Sequence, residues 1–288
     1  MNCNLKCKLC AERSPYRKNS HTPTLGELTW QIDELFALVD NIEKFDITGG
    51  EPFLCKCLPE FISYLYNNYR NKITQVRLST NGTILPSAEF IESAKLWKDN
   101  FFVIVDNYPV SKKCNEIINL LTENNISHTL RDYSENIHCN GWVDYGDLSL
   151  KHTKEEAREL YNRCMVPKLG FFTCMVEGNI YPCAKARHLA ENSSTALTPY
   201  VTMSPYDFDL TETGKRERLK SILGEELIDV CRYCNGLCED SKRYIPAEQL
   251  NSKELSHEEE VFQNSRPIKK EHSEKVIFYT QANNAEKT

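Results

Sequence analysis

The sequence predicts an α/β protein in which a parallel sheet is followed by a smaller, cysteine-rich C-terminal domain. Between residues 24 and 132, helical and strand patterns alternate with short breaks, which is typical of right-handed βαβ units. Beyond residue 135 the alternation ends, and a second group of cysteines follows within 164–238. The boundaries we predict are 1–140 for the first domain, 141–240 for the second, and 241–288 for a polar tail that we expect to be mostly disordered.

The first domain is predicted to open with a helix after residue 24. Thr24 and Glu27 have the spacing of a capping box, and apolar residues follow at helical intervals. Further helices are predicted near 61–69, 90–97 and 117–121, and strands at 45–48, 73–78, 101–105 and 126–130. The uninterrupted apolar run 101–105 is typical of a strand in a parallel sheet that is covered on both faces.

Polar or glycine-rich residues follow each predicted strand. Because the carboxyl ends of parallel strands meet at one edge of the sheet, we expect any chemistry to lie there. The residues at these ends are Gly49, Gly50, Glu51, Pro52, Thr80, Asn81, Asp106, Arg131 and Asp132. Arg131 and Asp132 are candidates to bind a cofactor carboxylate or the substrate, and a solvated strand end is an equally good interpretation of the same two residues.

The second domain is predicted to contain a helix, a hairpin and a loop. Thr153 and Glu156 form another capping box, which opens a helix that ends near Cys164. Residues 171–176 and 180–183 flank a Gly-containing turn and read as a hairpin. Residues 190–215 are rich in Ser, Thr and Pro and are predicted to be a loop, followed by a helix at about 215–223.

Composition excludes several classes of protein. Lys and Arg number 35 against 41 Asp and Glu, and the net charge of −6 argues against a nucleic-acid partner or a polybasic membrane patch. Apolar runs such as 101–105 are far shorter than the roughly 20 residues of a membrane span. The 13 cysteines are an odd number in a chain of ordinary size, which favours metal or redox chemistry in the cytoplasm over a secreted disulfide framework.

Three of the cysteines, Cys3, Cys7 and Cys10, form a Cys-x3-Cys-x2-Cys pattern on one short segment. Electron-transfer ferredoxins supply a cysteine to each of the four irons of a [4Fe–4S] cluster, whereas three cysteines leave one iron without a thiolate. An open coordination position is typical of a catalytic metal site rather than a structural one. The alternative is zinc, although zinc sites favour paired Cys-x2-Cys units and this segment has only one.

The Gly49-Gly50-Glu51-Pro52 segment lies one helix and one strand after these cysteines. In this order the two motifs resemble those of the radical S-adenosylmethionine enzymes, over roughly residues 3–132. The resemblance implies a partial (β/α)6 TIM-like barrel in which Cys3, Cys7 and Cys10 hold a [4Fe–4S] cluster. It also implies that S-adenosylmethionine chelates the open iron and contacts Gly49, Gly50 and Glu51.

The chain departs from the pattern of that family at three points. Leu9 stands where relatives carry an aromatic residue, and Ile104 stands where a ribose-contacting serine is common. Thr80, Asn81 and Asp106 are therefore the candidates for the remaining cofactor contacts. The cluster segment of relatives follows a first strand, which is apparently absent here, so we expect the natural polypeptide to begin upstream of Met1.

The later cysteines have a spacing of their own, with Cys164 and Cys183 followed by the pair Cys231 and Cys234. It resembles the C-terminal twitch or SPASM extensions of the same family, which hold auxiliary [4Fe–4S] clusters, and the number of cysteines fits the single-cluster twitch form. Cys174 and Cys238 are alternates for one of the four ligands. A structural zinc and unliganded thiols are the other interpretations. Cys55, Cys57, Cys114 and Cys139 lack ligand spacing.

The resulting hypothesis is an enzyme that cleaves S-adenosylmethionine reductively and abstracts hydrogen from a peptide or another biosynthetic intermediate. The alternative within the family is a dehydrogenase of a small sugar-like alcohol, and the alternative outside it is a non-catalytic Fe–S or zinc protein. An external low-potential electron donor such as flavodoxin or ferredoxin is the expected partner. No residue is predicted to be the catalytic base.

Overall fold

The computed structural model describes residues 2–17, 21–134, 141–168, 174–192, 201–202, 210–224 and 228–251. It confirms an α/β fold with a parallel sheet. The strands of this sheet are β1 (Ile42–Ile47), β2 (Ile73–Thr80), β3 (Phe101–Asn107) and β4 (Ser127–Asp132), in the order β1-β2-β3-β4. Four parallel strands are present in the part of the chain described, and the six-unit partial barrel remains a prediction.

Helices alternate with these strands as the periodicity predicts. They are α1 (Leu25–Leu38), α2 (Leu58–Tyr69), α3 (Ala88–Lys95) and α4 (Cys114–Glu123). The capping box of α1 is present, because Thr24 accepts a hydrogen bond from the backbone N–H of Glu27 and Glu27 accepts one from that of Thr24. Local sequence therefore defines the start of the first helix correctly.

One face of the sheet packs against these helices and forms the main core. Val76, Leu78, Val103 and Val105 point into it and are fully buried. Apolar faces of the helices close over them through residues such as Ile62, Leu65, Ile117 and Leu121. Each such side chain stabilises the fold by roughly 1.5–3 kcal/mol when it leaves water. Residues of the opposite face, including Arg77, Ser79 and Ile104, line a large cavity.

The strand register brings the polar strand ends together. Ile47 pairs with Leu78, Thr80 with Val105, and Asp106 with Arg131, so the four strands finish at the same edge of the sheet. This alignment follows from parallel pairing and confirms that the glycine-rich and polar segments after the strands are neighbours.

The second half of the chain contains small elements around its cysteines. The helices are α5 (Lys154–Arg163), α6 (Met165–Lys168), α7 (Ala184–Asn192), α8 (Glu212–Gly224) and α9 (Ile228–Cys231), and the strands are β5 (Cys174–Val176), β6 (Asn179–Tyr181) and β7 (Val201–Thr202). The predicted capping box of Thr153 and Glu156 opens α5, and Cys164 caps its end. The predicted hairpin is present as β5 and β6, while 171–173 lie outside the described residues.

Part of the region predicted as loop is regular structure. Within 190–215, the end of α7, the short strand β7 and the start of α8 are ordered, and β7 pairs with β6 through Ile180 and Val201. The prediction was wrong here because a two-residue strand is defined by its partner and leaves no periodic pattern in its own sequence.

Residues 241–251, the first part of the predicted tail, have a defined structure. Tyr244 exchanges backbone hydrogen bonds of 3.0 and 2.8 Å with Trp142. Tyr244, Ala247 and Leu250 are buried, and they recur at intervals of three in an otherwise polar sequence. The remainder of the predicted tail, including the weak apolar patch at 276–279, lies outside the described residues, as does Cys139. In the part of the chain described, no helix combines the length and apolarity needed to cross a bilayer.

Candidate active site

The N-terminal segment 2–10, here called the cluster loop, lies against the Gly-Gly-Glu-Pro segment. The backbone N–H of Glu51 donates a hydrogen bond of 2.9 Å to the carbonyl oxygen of Asn2. A methyl group on Gly50 would lie 2.0 Å from that oxygen and 2.6 Å from Cβ of Cys3, so only glycine permits this approach. The first cysteine and the predicted cofactor edge are therefore in direct contact.

The three thiols of the cluster loop have the chemistry of a metal site. Burial, followed by the neighbouring charge of Cys10, raises the pKa of Cys7 to about 12. Burial also raises the pKa of Cys3 and of Cys10, and the charge of Cys3 contributes to both Cys7 and Cys10. None of the described cysteines forms a disulfide. Thiolates that repel one another in a buried loop are stabilised by a bound cation, so these residues fit an iron–sulfur cluster.

Glu51 ties the end of β1 to the end of β2. One of its carboxylate oxygens accepts hydrogen bonds from Thr80 Oγ1 at 2.9 Å and from the backbone N–H of Phe53 at 3.1 Å. The other accepts one of 2.8 Å from the backbone N–H of Asn81. The side chain is 2% exposed, and burial raises its pKa. Both carboxylate oxygens are thus bound by the protein, and they hold the Gly-Gly-Glu-Pro segment against the end of β2. The backbone of the neighbouring Gly49 lines the cavity.

Thr80 and Asn81 lie beside the cluster loop. The Asn81 amide donates hydrogen bonds to Asn4 Oδ1 at 3.1 Å and to Cys3 Sγ at 3.8 Å. Asp106 lies farther along the same edge and makes a bidentate ion pair of 2.6 and 2.9 Å with Arg131. Of the predicted cofactor residues, Gly49 and Asp106 line the cavity. A ribose contact by Thr80, Asn81 or Asp106 stays a prediction.

The cavity has a volume of about 1370 Å³ and extends from the sheet to the second group of cysteines. Cys10, Gly49 and Asp106 line the part next to the cluster loop. Its other lining thiols are Cys164, Cys174, Cys183, Cys231 and Cys234. One space thus joins both predicted cysteine sites, which sequence spacing alone does not show.

The second group of cysteines comes from four separate elements. Cys164 follows α5, Cys183 follows β6, Cys231 ends α9, and Cys234 lies in the next turn. Each of the last three carries a thiol whose pKa is raised by burial, for Cys183 to about 11 and for Cys234 to about 12. The backbone N–H of Ala186 donates to Cys183 Sγ at 3.4 Å, and that of Gly236 donates to Cys234 Sγ at 3.3 Å.

Electrostatic coupling indicates that the later cysteines lie close together. The charges of Cys234, Cys183 and Cys164 all act on Cys231, and the same three act on the buried phenol of Tyr145, whose pKa is raised by burial and by these thiols. Cys174 on β5 interacts with Glu12, Arg187 and Glu191, and its charge also acts on Cys183. Cys238 is buried, does not line the cavity, and interacts with Cys164, Cys231 and Arg163.

Several residues of this site escaped the sequence analysis. Arg187 is 1% exposed and bonds to the Glu12 carboxylate at 2.5 Å, which links α7 to the segment after the cluster loop. Lys185 lines the cavity and donates to the carbonyl oxygens of Gly146 and Asp147 at 2.9 and 2.5 Å. A basic helix face reads as solvated surface in sequence, so only tertiary packing reveals these contacts.

Comparison with known proteins agrees with the first cysteine motif. Residues 1–125 match a family described as a 4Fe-4S single cluster domain. The GTP 3',8-cyclase of Syntrophomonas wolfei is 32% identical over 105 residues, which cover 34% of this chain and 30% of that enzyme. The GTP 3',8-cyclase of Helicobacter pylori strain 26695 is 30% identical over 138 residues, which cover 47% of this chain and 40% of that enzyme. The matches span less than half the length of these relatives.

The N-terminal part of this chain is therefore similar to a 4Fe-4S cluster domain and to part of the GTP 3',8-cyclases. A similarity of fold extends over more of the chain. The crystal structure of BtrN in complex with AdoMet and 2-DOIA aligns with a TM-score of 0.52 at 17% identity, covering 86% of this chain and 94% of that chain. The close approach of Gly50 to Asn2 and Cys3 places the cysteine motif and the Gly-Gly-Glu-Pro motif of this chain side by side.

Proposed function

We propose that this chain is a radical S-adenosylmethionine enzyme that abstracts hydrogen from a peptide or another biosynthetic intermediate, and that a second, auxiliary [4Fe–4S] cluster takes part. The observation that supports the proposal is the cavity of about 1370 Å³, which is lined by Cys10 at one end and by Cys164, Cys183, Cys231 and Cys234 at the other. A substrate in this cavity lies between the proposed cofactor edge and the proposed auxiliary site.

The bound cluster of Cys3, Cys7 and Cys10 would supply the electron that cleaves S-adenosylmethionine to methionine and a 5′-deoxyadenosyl radical. The backbone of Gly49 faces the cavity and is the surface we propose for the methionyl group. Glu51 fixes that backbone by binding the end of β2. The electron itself comes from an external low-potential donor such as flavodoxin or ferredoxin.

The auxiliary site is proposed to hold its cluster through Cys164, Cys183, Cys231 and Cys234. Mutual charge interactions among these four thiols support the assignment. We propose iron–sulfur at this site, and iron and zinc analysis of the purified protein distinguishes it from a structural zinc, which would need its ligands within about 2.3 Å of one ion.

The test is anaerobic reconstitution followed by reaction with dithionite and S-adenosylmethionine. Two clusters give about eight irons per chain, and the Cys3→Ala, Cys7→Ala, Cys10→Ala triple variant should retain about four. The wild-type protein should release 5′-deoxyadenosine and the triple variant should not. Fully loaded wild-type protein that releases none would contradict the enzymatic function and favour a non-catalytic Fe–S or zinc protein.

A dehydrogenase of a small sugar-like alcohol is the second candidate. The same cavity favours it, since the auxiliary site adjoins the substrate position and is suitably placed to accept the electron left after hydrogen abstraction. Incubation with sugar alcohols and with short peptides distinguishes the candidates. An aldehyde or ketone formed in proportion to 5′-deoxyadenosine supports dehydrogenation, and a peptide product of altered mass supports maturation.

A further inference from the structure

Residues 247–250, here called the strap, run along the cluster loop. The backbone N–H of Leu250 donates a hydrogen bond of 2.7 Å to the carbonyl oxygen of Lys6, and that of Lys8 donates one of 2.8 Å to the carbonyl oxygen of Glu248. Cys7 and Gln249 therefore face each other in a short antiparallel bridge. An ion pair of 3.1 Å between the nearly buried Lys8 and Glu248 side chains adds a second attachment.

The side chain of Gln249 is fixed at both atoms of its amide. Oε1 accepts a hydrogen bond of 2.8 Å from the backbone N–H of Lys6. Nε2 donates one of 2.7 Å to the carbonyl oxygen of Ala247. Because one partner can only donate and the other can only accept, the orientation of the amide is determined. The second N–H of Nε2 is directed at Cys7 Sγ, 3.2 Å away.

We propose that Gln249 is a positioning residue that sets the reduction potential of the cluster on Cys3, Cys7 and Cys10. It acts by donating a hydrogen bond to the sulfur of Cys7. The proposal rests on the proposed function, which places a [4Fe–4S] cluster at these three cysteines.

Hydrogen bonds to ligand sulfurs are one of the terms that set cluster potentials. A donor stabilises the reduced cluster more than the oxidised one, because reduction adds negative charge to the sulfurs. At Cys7 this donor has a short and well-anchored contact, whereas the contact from Asn81 to Cys3 is 3.8 Å long. The amide of Gln249 is thus the stronger of these two sulfur contacts, and its removal should make the cluster harder to reduce.

The experiment is a redox titration of the reconstituted full chain, followed by electron paramagnetic resonance. Gln249→Met removes the donor at similar size. Gln249→Glu keeps the acceptor for the Lys6 N–H and replaces the donor with a carboxylate oxygen. Gln75→Met is the matched control, because Gln75 lies near the start of β2, opposite Lys44 and away from the carboxyl ends of the strands.

We expect both Gln249 variants to bind about as much iron as the wild type and to have a more negative midpoint for the first cluster only. A tenfold lower ratio of reduced to oxidised cluster at fixed potential corresponds to a shift of the midpoint by about 59 mV for a one-electron couple. The signal of the auxiliary cluster and the midpoint of Gln75→Met should not change.

Two results would overturn the inference. One is a wild-type midpoint in both fully loaded Gln249 variants. The other is loss of the first cluster from both, which would mean that the residue only holds the loop in place. A wild-type protein that binds no cluster at Cys3, Cys7 and Cys10 would instead refute the proposed function, so the two failures are distinguishable.

Discussion

The backbone N–H of Asn81 donates a hydrogen bond of 2.8 Å to Oε2 of Glu51, 30 residues earlier in the chain. This contact joins the segment after β1 to the segment after β2. The same carboxylate also accepts from Thr80 and from the backbone of Phe53. The position of the glycine edge relative to the cluster loop therefore depends on one buried side chain.

Glu51→Gln should weaken this connection. The amide replaces one accepting oxygen with a donor, so a buried donor of the protein loses its acceptor at a cost of about 1–3 kcal/mol. The midpoint of urea unfolding should fall, and so should the rate of S-adenosylmethionine cleavage. Glu43→Gln is the control, because Glu43 is 78% exposed. Equal stability of the two variants would contradict the assigned role.

Gly50→Ala should prevent formation of the first cluster site. Its Cβ would lie 2.0 Å from the carbonyl oxygen of Asn2, and backbone must move to relieve the clash. We expect about four irons per chain after reconstitution instead of about eight. Gly26→Ala in α1 is the control, since nothing lies within 4 Å of its Cβ position. That change should retain all iron and stabilise the helix by roughly 0.5–1 kcal/mol. Full iron loading of Gly50→Ala would show that the loop adapts.

Single cysteine variants should separate ligands from spare thiols. Cys231→Ala should lose the auxiliary cluster, because Cys231 interacts with the three other proposed ligands. Cys238→Ala should keep it, because Cys238 does not line the cavity. The iron content and the sulfur-to-iron charge-transfer absorbance of each variant show whether it keeps the auxiliary cluster. Suppose instead that Cys231→Ala keeps the auxiliary cluster and that Cys238→Ala or Cys174→Ala loses it. The cysteine whose replacement removes the cluster would then take the place of Cys231 as the assigned ligand.

His188 should make stability depend on pH below neutrality. Burial, together with the charges of Arg13, Lys185 and Arg187, lowers the pKa of His188 to about 3. Below pH 6.5 the imidazole of His188 takes up a proton in the unfolded chain, whereas in the folded protein it stays neutral. The free energy of unfolding is therefore highest above pH 6.5 and decreases as the pH falls. Between pH 7.5 and 5.5 the loss is on the order of 1 kcal/mol.

Anaerobic urea titrations at the two pH values measure this difference. His188→Gln should reduce this dependence of stability on pH. The assignment fails if the wild type and His188→Gln lose the same stability over this interval.

The βαβ region could be predicted because its signals are local. Apolar periodicity defines α1 to α4, and the capping boxes at Thr24 and Thr153 mark two helix starts. Parallel pairing then requires the strand ends to meet, so the sequence alone predicts that Gly49, Thr80 and Asp106 lie at one edge of the sheet.

The connections between distant segments could not be predicted. Tyr244, Ala247 and Leu250 are too widely spaced in a polar segment to indicate burial, and their partners lie far away in sequence. Arg187 reads as a surface residue of a basic helix, although it is buried against Glu12. The sequence motif predicts that Glu51 lies at the carboxyl edge of the sheet. The direction of its side chain depends on a hydrogen bond from Thr80 at the end of β2, which the motif does not contain.

The strap has a consequence for the order of events during synthesis. Cys7 and Gln249 are 242 positions apart, so the first cysteines leave the ribosome long before their sulfur-bonding partner exists. At about 5–20 residues per second, the interval is about 12–50 s. Throughout that time the cluster loop lacks both the strap and the amide donor. The complete site can therefore form only after translation has passed residue 250, and a ribosome stalled earlier would carry three thiols without it.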